Sequence, residues 1–121
     1  MIKITINKKT PTINHLYYHI KNMKVLTKEA RTIRKYIEGV VKTIDCKNLI
    51  GKPLKVSISI YEDWLTKKGE IKKKDISNRE KFLVDSIFKA IGLDDKHIFD
   101  LRYVKVQSNE EKAVVEIEEL K

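Results

Sequence analysis

A run of lysines leads directly into Asp75, and three more aspartates follow within about twenty residues: Asp85, Asp94 and Asp95. Carboxylates that cluster without a cation repel one another, which makes their protons harder to remove. A divalent ion relieves this repulsion, and Mg²⁺ binds a few carboxylate oxygens while it keeps several of its waters. Beside lysines that hold phosphates, such a cluster is typical of metal-dependent phosphodiester cleavage, in which the metal activates water.

The residues between these acids have helical spacing. Asn78, Lys81 and Asp85 are separated by three and four residues, which places them on one face of a helix. An ammonium group on that face can stabilise the negative charge of a phosphate. Ser77 and Glu80 have the spacing of a capping box, so we interpret them first as the start of that helix.

The pair Asp94–Asp95 follows the predicted end of the same helix, after Gly92. The helix dipole disfavours negative charge at a C-terminus. Two adjacent acids at this place therefore need exposure, a basic neighbour or a metal. A helix over residues 77–91 is about 22 Å long. Asp75 and the pair can then share a metal if a loop folds back along the helix, or if two subunits combine.

The elements that must position these residues form one domain over residues 1–121, of the α+β class with a small mixed or antiparallel sheet and two main helices. Alternation predicts strands at 2–6 and 54–62, and the flanks of "SNEE" predict a terminal hairpin. Thr27 is the expected N-cap of the first helix, 28–44. Residues 7–24 are expected to form a long ordered loop, and 63–74 a loop or a hairpin that turns at Gly69. The predicted order is β-α-β-α-β-β.

Charge is distributed unevenly along the chain. The net charge is +9, and residues 1–74 hold 18 Lys and Arg against 6 Asp and Glu, whereas residues 75–121 hold 8 against 11. This asymmetry favours a polyanionic partner, most often nucleic acid. Two groups of basic residues are expected to hold phosphates. They are Lys67, Lys68, Lys72, Lys73 and Lys74 before the acids, and Arg31, Arg34 and Lys35 on the first helix. Trp64 either closes the core or stacks on an unpaired base.

The stretch "KKKDISNREKFLVDSIFKAIGLDDKHI" resembles the central signature of RusA-like Holliday junction resolvases. That signature is roughly D-x-D-N-x-x-K, an apolar helix with an acid, and a D-D pair after a glycine. The matching residues are Asp75, Asn78, Lys81, Asp85, Asp94 and Asp95. The earlier stretch "PTINHLYY" resembles the family's P-x-x-N-x-x-Y through Pro11, Asn14 and Tyr17. The order of strands and helices is similar over nearly the whole chain.

This resemblance implies a homodimer that cuts a four-way DNA junction on two opposed strands. It implies Mg²⁺ as cofactor, with Mn²⁺ as a possible substitute, and no organic cofactor. The implied metal ligands are Asp75, Asp94 and Asp95. Lys81 would stabilise the phosphate charge, and Asp85 would orient Lys81 or add a ligand. Asn14 and Tyr17 join the basic residues as expected DNA contacts.

Ser77 departs from the family pattern, because it stands where the second acid of D-x-D belongs. A serine can hold a metal-bound water, but it supplies no second negative ligand. We expect that three acids suffice for a hydrated magnesium site. The alternatives are a module that binds branched DNA without cutting it, and a small RNA-associated basic protein. A single cysteine, Cys46, favours the cytoplasm, and no apolar run of membrane-spanning length occurs.

Overall fold

The computed structural model describes residues 1–11, 17–74 and 77–121, and only the backbone at 77, 78 and 80. Six strands and two α-helices are present in this part of the chain. Their bounds are β1 Ile2–Ile6, β2 Tyr17–Ile20, β3 Met23–Leu26, α1 Lys28–Val41, β4 Leu54–Glu62, α2 Ser77–Ile91, β5 Ile98–Gln107 and β6 Lys112–Glu119. Two short 3-10 helices lie at Lys47–Leu49 and Asp95–His97.

A four-stranded mixed sheet in the order β1-β6-β4-β5 forms the centre of the fold, and both helices pack on it. β4 alternates strictly between buried and half-buried residues, so that one face of the strand supplies the core and the other faces outward. α1 presents Ala30, Ile33, Ile37 and Val41 to the same core at helical spacing. The predicted α+β class with a mixed sheet and two main helices is confirmed.

Local capping signals agree with the predicted start of α1 and the predicted end of α2. The predicted end of α1 at residue 44 is wrong: the helix ends at Val41, and the amides of residues 43 and 44 donate to carbonyls three residues back instead of four. The Thr27 hydroxyl accepts a hydrogen bond from the amide of Ala30 at 3.2 Å, which confirms the N-cap of α1. Gly92 has φ +86° after α2, and the amide of Leu93 donates to the carbonyl of Phe88 at 2.9 Å. This is the Schellman pattern, in which glycine accepts the left-handed conformation that ends a helix.

The predicted terminal hairpin is wrong. β5 pairs in parallel with β4, whereas β6 lies on the other side of β4, between β4 and β1, and is antiparallel to both. The physical reason is burial: Ala113, Val114 and Val115 are buried in succession, so β6 needs cover on both faces and neighbours on both edges. β5 keeps the edge position, and most of its residues are exposed.

The predicted loop at 7–24 is wrong over its second half, where β2 and β3 form a separate two-stranded antiparallel sheet. Lys21 and Asn22 connect the two strands with φ values of 49° and 65°. Two consecutive positive φ angles are the geometry of the tight turn that suits a hairpin's twist. The turn predicted at Gly69 is confirmed, since Leu65 and Ile71 form an antiparallel bridge around it.

In the described part of the chain, neither helix has the length and apolar character that crossing a membrane requires.

Candidate active site

The acid pair lies on the 3-10 helix that follows α2. Asp94 caps this short helix, because its Oδ1 accepts a hydrogen bond from the amide of Lys96 at 3.0 Å. That hydrogen bond holds the pKa of Asp94 below its usual value. Asp94 and Asp95 are also hydrogen-bonded to each other, which raises the pKa of Asp95. The neighbouring carboxyl group of Asp94 therefore disfavours the charged form of Asp95.

Two residues of α2 lie close enough to act on this pair electrostatically. The negative charge of Asp85 raises the pKa of Asp95, and the positive charge of Lys81 lowers it. Lys81 is exposed and Asp85 is half-buried, one helical turn further along. The structure thus brings together four of the predicted site residues, Lys81, Asp85, Asp94 and Asp95.

The chain reverses after Gly92, and this reversal brings the acids back along α2. Asp95 borders a small cavity with Val84 and Leu101, in the middle of the helix rather than beyond its end. Lys81 is only four residues from the start of α2, a rise of about 6 Å. The acid pair thus folds back along α2, and the position of Asp75 relative to it lies outside the described residues.

These donors fit a hard divalent cation. Two neighbouring carboxyl groups are an arrangement that Mg²⁺ or a similar ion stabilises, because its charge relieves their mutual repulsion. Within the described ranges, no group of three or more His, Cys, Asp or Glu side chains is arranged to hold a metal ion. The third predicted ligand, Asp75, lies outside those ranges, as do Asn14 and the side chains of Ser77 and Asn78.

A buried ion pair that the sequence interpretation missed lies beside the start of α2. Arg79 Nη1 donates to Glu62 Oε1 at 2.6 Å, and Nη2 donates to Oε2 at 3.3 Å. Both side chains are only 2% exposed. Glu62 is the last residue of β4 and lies on the buried face of that strand. Arg79 lies on the buried face of α2, just before Phe82 and Leu83. A charge at each of two buried positions was the signal in the sequence.

Two further groups join this pair. Lys74 Nζ donates to Glu62 Oε2 at 2.9 Å, and Arg79 Nη1 also donates to the carbonyl of Thr10 at 2.7 Å. Trp64 packs beneath the guanidinium, whose carbon is 5.8 Å from the ring centroid. Trp64 is buried and its Nε1 donates to the carbonyl of Ile60, so it closes the core and is not an exposed stacking residue.

The predicted DNA contacts fall into two groups by their exposure. The exposed residues are Lys67, Lys68, Lys73, Arg31 and Lys35. The others have protein partners. Lys72 Nζ is 3.5 Å from Asp63, and Lys74 binds Glu62. Arg34 Nε donates to Ser86 on α2 at 3.2 Å. Tyr17 is half-buried, with the ammonium of Lys24 4.5 Å from its ring centroid.

Comparison with known proteins identifies the family. No curated protein matches the chain significantly. The family described as Endodeoxyribonuclease RusA matches residues 8–118, a range that includes every predicted site residue. Its members are crossover junction resolvases that bind branched DNA and depend on a divalent metal ion. Because the match covers nearly the whole chain, this protein belongs to the RusA family of endodeoxyribonucleases.

Proposed function

We propose that this protein is a magnesium-dependent endodeoxyribonuclease that resolves four-way DNA junctions in the cytoplasm by paired nicks. The observation that carries this proposal is the juxtaposition of Asp94 and Asp95 with Asp85 and Lys81. Two hydrogen-bonded carboxyl groups next to an exposed ammonium group supply both a cation site and a phosphate contact.

The roles of the residues follow from their positions. Asp94 and Asp95, with Asp75 from the preceding segment, would hold the cation. When bound, a divalent metal ion lowers the pKa of water and polarises a phosphate oxygen. Lys81 is exposed on α2, so its ammonium group can contact the phosphate and stabilise the charge that develops there. Asp85, one turn away and half-buried, orients Lys81.

Two copies of the chain would cut the two opposed strands. Support for a homodimer comes from the edge strand β5, which exposes apolar side chains next to the acid pair. Phe99 is 71% exposed and lies beside Asp95 on the same small cavity. Val104 is 40% exposed further along β5. Exposed apolar side chains on an edge strand are typical of surfaces that a partner covers.

The direct test incubates the purified protein with a labelled four-way junction, with Mg²⁺, with Mn²⁺ and with a chelator. We expect paired, symmetric nicks with either metal and none with chelator. A linear duplex of the same sequence is the control and should stay intact. Tight binding of the junction without nicks in any metal would contradict the proposal and favour a binding module. In that case, cleavage gained by Ser77→Asp would identify the serine as the missing ligand position.

The exposed lysines of the hairpin at 65–71 are expected to contact phosphates. Replacing Lys67 and Lys68 by alanine should weaken junction binding and reduce the slope of log Kd against log salt by up to about 1.8, since each phosphate contact contributes about 0.9. Fluorescence anisotropy over a salt series measures this slope. The matched control replaces Lys42 and Lys47, which are also exposed but line a groove at the C-terminal end of α1. Equal slopes for both variants would contradict the assignment.

A further inference from the structure

We propose that Glu62 and Arg79 are positioning residues for the cleavage reaction. Their buried ion pair sets the start of α2, and the segment that leads into Asp75, relative to the central sheet. This inference rests on the proposed function, because the residues that it positions are those assigned to the metal and the phosphate.

Glu62 is the point at which three segments meet. Its Oε1 accepts from Arg79 in the first turn of α2, and its Oε2 accepts from Lys74, the residue before Asp75. Through Arg79 the same pair reaches the carbonyl of Thr10 at 2.7 Å. Glu62 itself is the last residue of β4, which has a neighbouring strand on each side. The carboxylate therefore links the start of α2, the 72–74 segment and, through Arg79, Thr10 to the interior strand β4.

A second set of contacts holds the same segment from the other side. Lys105 on β5 donates to the carbonyl of Lys74 at 2.7 Å, and its ammonium is 4.8 Å from the centroid of the Trp64 ring. The amide of Lys72 donates to the carbonyl of Trp64 at 2.9 Å. Both ends of the 72–74 segment are thus hydrogen-bonded to the sheet side. Lys72 bonds to Trp64, just after β4, and Lys74 bonds to Glu62 on β4 and to Lys105 on β5.

Stability alone does not account for these charges. Apolar residues of similar volume usually stabilise a core as well as a buried ion pair does, because burial removes the hydration of both charges. Hydrogen bonds to a carboxylate have a direction and a length, which apolar contacts lack. Arg79 lies two residues before Lys81, so a displacement of its guanidinium moves the helical turn that carries the phosphate contact.

The test replaces Glu62 by glutamine, which keeps the shape and removes the charge. We expect the single-turnover cleavage rate on a four-way junction to fall about 10-fold or more, the range seen when groups that support metal ligands are lost. Junction affinity, measured with chelator present, should change by less than about 3-fold, because no DNA-contacting lysine is removed. Conservative Glu62→Asp should recover part of the rate.

Two control variants separate positioning from general destabilisation. Glu119→Gln removes a carboxylate from an exposed pair with Lys52, and Leu49→Ala opens the core; both lie at the opposite end of β4 from Glu62. Assayed well below their melting temperatures, both should cleave at the wild-type rate. A rate loss in Leu49→Ala equal to that in Glu62→Gln, or no rate loss in Glu62→Gln, would overturn the inference.

Amide hydrogen exchange provides a readout that needs no cleavage. In Glu62→Gln, protection should fall at the amide of Lys72 and in the first turns of α2, and stay unchanged in α1. If the wild-type protein cuts no junction, the proposed function fails and this exchange pattern still decides whether Glu62 positions the segment. Exchange that is unchanged, or that rises evenly along the chain, would contradict the positioning role. If Glu62→Gln does not fold, Arg79→Lys takes its place in the same comparison.

Discussion

Asp95→Asn is expected to lower the rate of junction cleavage by at least about 100-fold, since even groups that only support metal ligands cost 10- to 100-fold when they are lost. The physical reason is the loss of one of two adjacent carboxylates. One oxygen of Asp94 already accepts a hydrogen bond from the amide of Lys96, whereas Asp95 makes no such bond to the backbone in its own turn, so Asp95 is more available to bind a cation. An asparagine keeps the size of the side chain but removes the negative charge that a cation needs. Single-turnover cleavage of a labelled junction in Mg²⁺ measures this effect.

The matched control for this variant is Asp100→Asn. Asp100 is an exposed aspartate of the edge strand β5, on a different groove, with Lys55 and Glu118. It should cleave at the wild-type rate. Junction affinity in the presence of chelator should be unchanged in both variants or slightly tighter, because each loses one negative charge. Full activity in Asp95→Asn would contradict the assignment of the acid pair to the metal site.

Arg79→Met is expected to destabilise the protein by about 3–5 kcal/mol, because it leaves the Glu62 carboxylate buried without its main partner. Glu62 is 2% exposed, and of the side chains that the structure describes, Lys74 alone remains to neutralise it. Urea unfolding followed by circular dichroism measures the free energy of unfolding, and the urea dependence should stay unchanged if only the folded state is affected.

The double variant Glu62→Leu, Arg79→Met is expected to recover most of that stability, because it removes both buried charges together. Recovery of stability without recovery of cleavage would separate the two contributions of the ion pair. A surface comparison is Lys52→Met, which breaks a pair with Glu119 whose side chains are about 40% exposed. This variant should lose less than about 1 kcal/mol. A similar small loss in Arg79→Met would contradict the importance of the buried pair.

The helices and the central strand could be predicted from local patterns. β4 alternates over nine residues, and α1 and α2 carry apolar residues at helical spacing between recognisable ends at Thr27 and Gly92. These patterns are local, because the side chains that produce them lie within one or two turns or pleats of each other. The family could be predicted as well, from the order and spacing of the acids around α2, and the match over residues 8–118 confirms it.

Strand order could not be predicted in the same way. The short connection after β5 suggested a hairpin, but β6 crosses to the other side of β4. Three consecutive buried residues in β6 require a neighbouring strand on each side. Which strands these are depends on how the whole sheet assembles and cannot be predicted from β6 alone. The β2–β3 hairpin was missed because its turn contains Lys21 and Asn22 rather than a glycine.

By itself, the sequence determined the class of chemistry, since the order and spacing of its aspartates and lysines are those of the RusA endodeoxyribonuclease family. Tertiary structure alone decided which of these residues meet. The reversal after Gly92 brought Asp95 back to Lys81 and Asp85, and the inward register of β4 set Glu62 against Arg79. A carboxylate's neighbours depend on how distant segments pack, because electrostatic and hydrogen-bond energies act over ångströms of space and take no account of separation along the chain.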